Sequence, residues 1–169
     1  GYDTICEATS GNMGVSFAWL AATLGLKCVI VMPDNMSIER KKTLEYYGAK
    51  LIEVPAGDFD GAIAYRDELC EKFGWFNCNQ FANKFNIEAH SFTTGQEILN
   101  WAVDGKRTIS AMVTGTGTGG TLMGCSQRLK PHFPDMKMVA VEPAESPVMS
   151  GGEPGLHGIQ GIGDGSKFL

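Results

Sequence analysis

Short, nearly continuous apolar runs alternate along this chain with longer stretches in which apolar residues recur at helical spacing. Tyr2 to Ala8 is the first run, and the equally apolar Val15 to Leu24 follows it. Lys27 to Met32 (KCVIVM) is a β-branched strand pattern ended by Pro33-Asp34-Asn35. Ser37 then caps a helix running to Tyr47, with Gly48 behind it. Lys50 to Val54 repeats the strand signal, Pro55 to Asp58 turns, and Ala62 to Phe73 carries Ile63, Leu69, Cys70 and Phe73 at helical spacing before Gly74. Further on, Trp75 to Cys78 reads as a short strand and Ile87 to Ala102 as one helix. Ile109 to Thr114 reads as a strand, followed by a helix to Leu129, and Lys137 to Glu142 closes the series.

Strands that are apolar throughout must be covered on both faces, so the alternation predicts an α/β fold of parallel sheets with helices on both faces. Ligands of such sheets collect at the carboxyl ends of the strands. Two loops of small residues fall there. Thr9-Ser10-Gly11-Asn12 joins the first strand to the first helix, and Gly115-Thr116-Gly117-Thr118-Gly119-Gly120 joins the Ile109 strand to its helix. Small polar residues ahead of a helix expose backbone N–H groups and hydroxyls, a setting for a carboxylate or phosphate. The glycines of the second loop also let an anion approach the backbone closely. Its chemistry stays open at this point. Gly115, Gly117 and Gly120 satisfy the dinucleotide pattern GxGxxG, with Glu142 placed as a ribose-binding acid; a cup for one phosphomonoester uses the same physics.

Composition narrows the partners. The net charge is −5 and the basic residues are scattered singly, which argues against nucleic acid. Five cysteines without CxxC spacing read as reduced core residues of a cytoplasmic protein, and the three histidines are too far apart for a metal cluster. No membrane span is expected. The polar loop Gln80 to Asn86 is the expected lobe boundary, giving lobes of 1–86 and 87–169. Phe17, Trp19 and Leu20 read as core, the Glu39-Arg40-Lys41-Lys42 charges as solvated, and His90 as a helix residue with a local partner.

Seven blocks then carry a resemblance: TSGNMG (9–14), MSIERKKTLEYYGAK (36–50), QFAN (80–83), TTGQEI (93–98), GTGTGGT (115–121), VEPAESP (141–147) and IQGIG (159–163). In this order they resemble the cysteine synthase (O-acetylserine sulfhydrylase) family, pyridoxal-phosphate enzymes of fold type II. The resemblance implies a small mobile lobe closing over pyridoxal 5′-phosphate held by a larger one. It matches Gly117, Thr118, Gly119, Gly120 and Thr121 to the cofactor-phosphate loop and Asn12 to the residue bonding the cofactor ring hydroxyl. Thr9, Ser10, Gly11 and Gln80 match the groups on the amino-acid carboxylate, and Gly161 matches backbone near cofactor and substrate. Glu142 becomes a structural acid at a strand end.

The implied reaction is β-replacement, in which O-acetyl-L-serine loses acetate and sulfide adds to give L-cysteine. The resemblance also implies a homodimer and, in some members, docking of a serine acetyltransferase tail. Three departures accompany it. The family's Schiff-base lysine lies upstream of the TSGN block and nothing before Tyr2 supplies it, so no catalytic residue is assigned and this chain is expected to be inactive alone. The serine that contacts the pyridine nitrogen falls beyond the last block, so the sequence reads as the central part of a longer enzyme. Met13 stands where the common pattern has a carboxylate-binding threonine; it either packs under the loop or marks a cyanoalanine synthase-like branch. Cystathionine β-synthase-like activity, a nicotinamide-dependent oxidoreductase and a non-catalytic relative that keeps the ligand cup are the alternatives.

Overall fold

The computed structural model describes residues 1–9 and 11–163. The chain forms two compact units, Gly1–Asn79 and a second beginning at Gln80. The loop 80–86 therefore belongs with the second unit, whereas the sequence pattern placed it at the end of the first.

In the first unit the elements are β1 (Thr4–Ala8), α1 (Asn12–Leu24), β2 (Lys27–Pro33), α2 (Ile38–Tyr46), β3 (Lys50–Val54), α3 (Phe59–Phe73) and β4 (Phe76–Asn77). Its strands form one parallel sheet in the order β3-β2-β1-β4, with Ile5 beside Cys28 and Ile30 beside Leu51. The chain steps from β1 to β3 in one direction and then returns across the sheet to β4. Right-handed crossovers therefore put α1 and α2 on one face and α3 on the other. α1 and α2 touch each other, and α3 touches β1 and β2. Cys28, Ile30 and Met32 of β2 pack with Ala18, Ala21 and Leu44 in one core layer. This is the two-faced burial that the uninterrupted apolar runs require.

The α1 helix meets the sheet through Gly14, Ala18 and Ala21, small residues on one stripe. Phe17 packs against that core, but Trp19 and Leu20 lie on the outward side and are exposed. Their expected burial is thus corrected: close approach through alanines uses the narrow stripe and leaves the bulky neighbours outside. Lys41 also departs from the solvated reading. It pairs with Glu53 and donates to the Asp34 carbonyl at 2.7 Å, tying α2 to β3 and to the turn after β2.

The second unit contains α4 (Lys84–Phe92), α5 (Thr94–Asp104), β5 (Ala111–Gly115), α6 (Gly120–Leu129) and β6 (Lys137–Val141), with β5 and β6 paired in parallel. Leu99, Cys125, Leu129 and Met136 form its core. The single helix expected over 87–102 is two. Thr93 closes the last turn of α4 with its N–H and hydroxyl on the Ala89 carbonyl, and its backbone then leaves the helical region at φ −110° and ψ −85°, which ends α4 before α5 begins. At Gly124 a Cβ would lie 2.4 Å from the Ile87 carbonyl oxygen, so α4 and α6 pack almost backbone to backbone. Among the described residues, no helix is long and apolar enough to cross a membrane, and no three His, Cys, Asp or Glu side chains are grouped to hold a metal ion.

Candidate functional site

Two helices start differently from the rest. Ser37 caps α2, Asp58 caps α3 and Asn83 caps α4, each accepting from a backbone N–H, and α5 carries Glu97 in its first turn. By contrast, α1 starts at Gly11 and α6 at Gly119, with no side-chain cap and no acid in the first turn. A helix start lacking both keeps its N–H groups and its positive dipole end available to an anion. Both follow the carboxyl end of a parallel strand, β1 and β5.

At the first start, Thr9 is buried and its amide bonds the Val31 carbonyl at 3.0 Å, continuing the sheet. The Thr9 hydroxyl accepts from the Gly11 N–H at 3.3 Å, which curls the loop into the helix. Gly14 makes room for this: a Cβ there would lie 2.8 Å from the Thr9 methyl. Asn12 and Met13, the first two residues of α1, are exposed. Ser10 lies outside the described residues.

Behind this loop is a buried ion pair absent from the sequence reading. Glu7 Oε1 accepts from Arg66 Nη1 at 2.7 Å and from the Ala8 N–H at 2.8 Å. Arg66 also reaches Asp67 and the side chain of Asn79. Burial opposes the guanidinium charge, but the Glu7 and Asp67 carboxylates outweigh it and raise the Arg66 pKa.

At the second start, Gly119 takes φ 91°, a left-handed conformation that favours glycine. A Cβ on Gly117 would lie 2.6 Å from the Gly161 carbonyl oxygen, so the 161–163 turn is seated against the glycine loop, and the Gly163 N–H bonds the Thr116 carbonyl at 3.1 Å. Helix α4 supports the same loop from two positions one turn apart. Asn86 donates to the Gln80 carbonyl at 3.1 Å and to the Thr118 hydroxyl at 2.9 Å, and His90 Nε2 meets the Thr121 hydroxyl at 3.2 Å. His90 Nδ1 meets Thr94 at 3.0 Å, the expected local partner. The second unit thus brings together Gln80, residues 117–121 and Gly161, while Thr9, Gly11, Asn12 and Met13 are together in the first.

The loop fits a phosphate-bearing cofactor. It combines a glycine turn held tightly against the Gly161 main chain with a helix start that has neither a side-chain cap nor an acid in its first turn. It also holds a buried hydroxyl, Thr116 Oγ1, without a hydrogen-bond partner among the described residues. The ribose-acid role of Glu142 fits poorly. Its carboxylate already accepts from the Met149 and Ser150 N–H groups at 2.7 and 2.9 Å, and the Ser150 hydroxyl bond, with those amides, holds its pKa below the usual range. Asn86 was missed by sequence reading, because it stands 32 residues from Thr118 and only the packing of α4 on α6 brings the two together.

Parallel sheets with glycine-led helix starts define a class. The chain belongs to the pyridoxal-phosphate dependent enzyme family, whose profile matches residues 1–167. A cysteine synthase of Staphylococcus aureus is 48% identical over 164 residues, covering 96% of this chain and 52% of that protein. A hydrogen sulfide-producing enzyme from Fusobacterium nucleatum superposes with a TM-score of 0.91 at 39% identity, covering 98% of this chain and 50% of that one. The cysteine synthase of Entamoeba histolytica gives a TM-score of 0.84 at 36% identity, covering 98% and 48%. The chain spans about half the length of these relatives. The fold is that of fold type II pyridoxal-phosphate enzymes.

Proposed function

We propose that this sequence forms the substrate loop and the cofactor-phosphate loop of an enzyme that makes L-cysteine from O-acetyl-L-serine and sulfide by β-replacement. The observation that carries the reading is the pair of uncapped, acid-free helix starts at Gly11 and Gly119. An amino acid and a phosphorylated cofactor bring one carboxylate and one phosphate, the two anions such starts suit. The similarity to cysteine synthases supports the same chemistry.

In this reading Gly117, Thr118, Gly119, Gly120 and Thr121 hold the cofactor phosphate, and Asn12 bonds the ring hydroxyl. Thr9, Ser10, Gly11 and Gln80 hold the substrate carboxylate, with Met13 beside them and the Gly161 backbone near the bound ligands. When bound, pyridoxal phosphate supplies the electron sink that lets the α-proton and then the β-acetoxy group depart. The protein's own share is orientation: a carboxylate held at several points fixes the direction of the α-carbon–hydrogen bond. Exclusion of water around the bound ligands is the other part of that share.

Met13 favours a second reading with the same elimination half. A thioether offers no hydrogen-bond donor where a hydroxyl would grip, and makes the pocket more apolar. A different pairing of donor and acceptor follows, such as cysteine and cyanide, or sulfide release as in the Fusobacterium relative. For the complete protein we also propose a homodimer, an active-site cleft open to a serine acetyltransferase tail, and a cytoplasmic location. The five free, buried thiols fit a reducing compartment.

The test uses the full-length protein that carries this sequence. Asn12→Ala and Gln80→Ala each remove one hydrogen bond to a ligand, at a cost of about 1.5–3 kcal/mol for a charged acceptor. The half-reaction with O-acetyl-L-serine, followed by cofactor absorbance, should slow in both variants. An unaltered half-reaction rejects the residue roles, and a wild-type protein that forms no cysteine from O-acetyl-L-serine and sulfide rejects the activity.

A further inference from the structure

The Asn86 side chain is unusual in having both of its donors committed to the same neighbourhood. The Gln80 carbonyl can only accept, so the atom 3.1 Å from it must be the amide nitrogen, which settles the orientation of the Asn86 amide. The second hydrogen of that nitrogen then points at Thr118 Oγ1, 2.9 Å away. The same hydroxyl receives a longer contact from the Gly120 N–H at 3.4 Å. A threonine hydroxyl has two acceptor lone pairs and one hydrogen. With incoming N–H groups on its lone pairs, the hydroxyl hydrogen is left to donate. The packing supports a fixed arrangement: a Cβ on Gly120 would lie 2.0 Å from Asn86 Oδ1, so only glycine lets the amide sit this close to the start of α6.

We propose that Asn86 is a positioning residue that sets the Thr118 hydroxyl as an outward donor to the bound phosphate and ties the Gln80 main chain to the phosphate loop. The inference rests on the reading of residues 117–121 as a phosphate cup. Asn86 acts through Thr118 and touches no reacting atom. A hydroxyl already polarised by an N–H donor gives a stronger bond to an anion than one free to rotate. The main-chain tie to Gln80 means that the segment gripping the carboxylate and the loop gripping the phosphate share one side chain.

The test is a double-mutant cycle in the full-length protein, freed of cofactor, with pyridoxine 5′-phosphate and inorganic phosphate as probes in calorimetric titrations. Thr118→Val should weaken pyridoxine 5′-phosphate by about tenfold or more, the usual effect of losing one hydrogen bond to a charged group. Asn86→Ala should weaken it comparably in the wild-type background, yet by less than about twofold once Thr118 is already valine. Additive losses, or an unchanged affinity in Asn86→Ala, overturn the proposal, because a purely structural role would be felt in both backgrounds.

Should Asn86→Ala fail to fold by circular dichroism, hydrogen exchange of the Asn86 side-chain amide decides the matter. One of its two protons should lose protection in Thr118→Val, and equal protection in both proteins overturns the link. If inorganic phosphate shows the coupling and pyridoxine 5′-phosphate does not bind, the Asn86 role stands and the cofactor reading falls. If the wild type binds neither probe, both fall.

Discussion

Arg66 of α3 and Glu7 of β1 meet at 2.7 Å with both side chains 1% exposed, two residues ahead of Thr9. A charge pair removed from water is costly to assemble and more costly to break. Here it joins the end of β1, which leads towards α1, to the helix α3 that covers the opposite face of the sheet. Through Asn79 it also reaches the residue just before Gln80.

Breaking the pair should therefore unfold the first unit more readily than most core substitutions. Arg66→Met leaves Glu7 without its main buried partner, and a loss of about 3–5 kcal/mol in urea denaturation is expected. The double variant Glu7→Leu with Arg66→Met should recover most of that loss, because neither charge is then stranded. Equal instability of the single and double variants would mean that the pair contributes through shape alone.

Gly117→Ala sets a methyl group against a main-chain atom that cannot rotate away, the Gly161 carbonyl oxygen 2.6 Å from the added Cβ. Something in the 115–117 or 161–163 backbone must shift, at a cost of about 1–3 kcal/mol. Phosphate-probe affinity should fall by at least about tenfold, whereas Gly158→Ala, where the added Cβ meets nothing within 4 Å, should leave it unchanged. Normal binding by Gly117→Ala would show that the turn and the loop do not form one cradle.

All five cysteines are free and buried. Burial pushes the thiols up, Cys28 to about 11 and, with help from nearby Glu7, Cys78 to about 12. The folded state thus holds these protons more tightly than the unfolded chain, whose thiols titrate near 8.5. Their contribution to stability is complete below that pH and is lost as pH rises through the folded values, because the unfolded state then binds fewer protons. A thiol reagent at pH 8 should label the native protein only as fast as it opens, and melting temperature should fall between about pH 9 and 12. Rapid labelling of several cysteines in native buffer would contradict the packing.

The element types were legible in the sequence because each apolar run is short, bounded by a turn signal and long enough for two-faced burial, as Lys27–Pro33 shows. The end of α4 was not. Thr93 and Thr94 are compatible with helix, and the break is the turn of the Thr93 backbone to φ −110° and ψ −85°, which hydrophobic spacing does not encode. The helix start of α6 was readable from its glycines, but its support was not. Asn86 and His90 became meaningful only once α4 was placed against α6. Glu7 and Arg66 are 59 residues apart, and nothing local to either marks a pair.

One short helix, α4, braces both Thr118 and Thr121 from positions a single turn apart. Because Gly124 seats that helix backbone to backbone on α6, it has little freedom to slide, and any slip would loosen both hydroxyls together. The two braces are in effect one fitting, so the glycine loop and the start of α6 should assemble, and fail, as a whole.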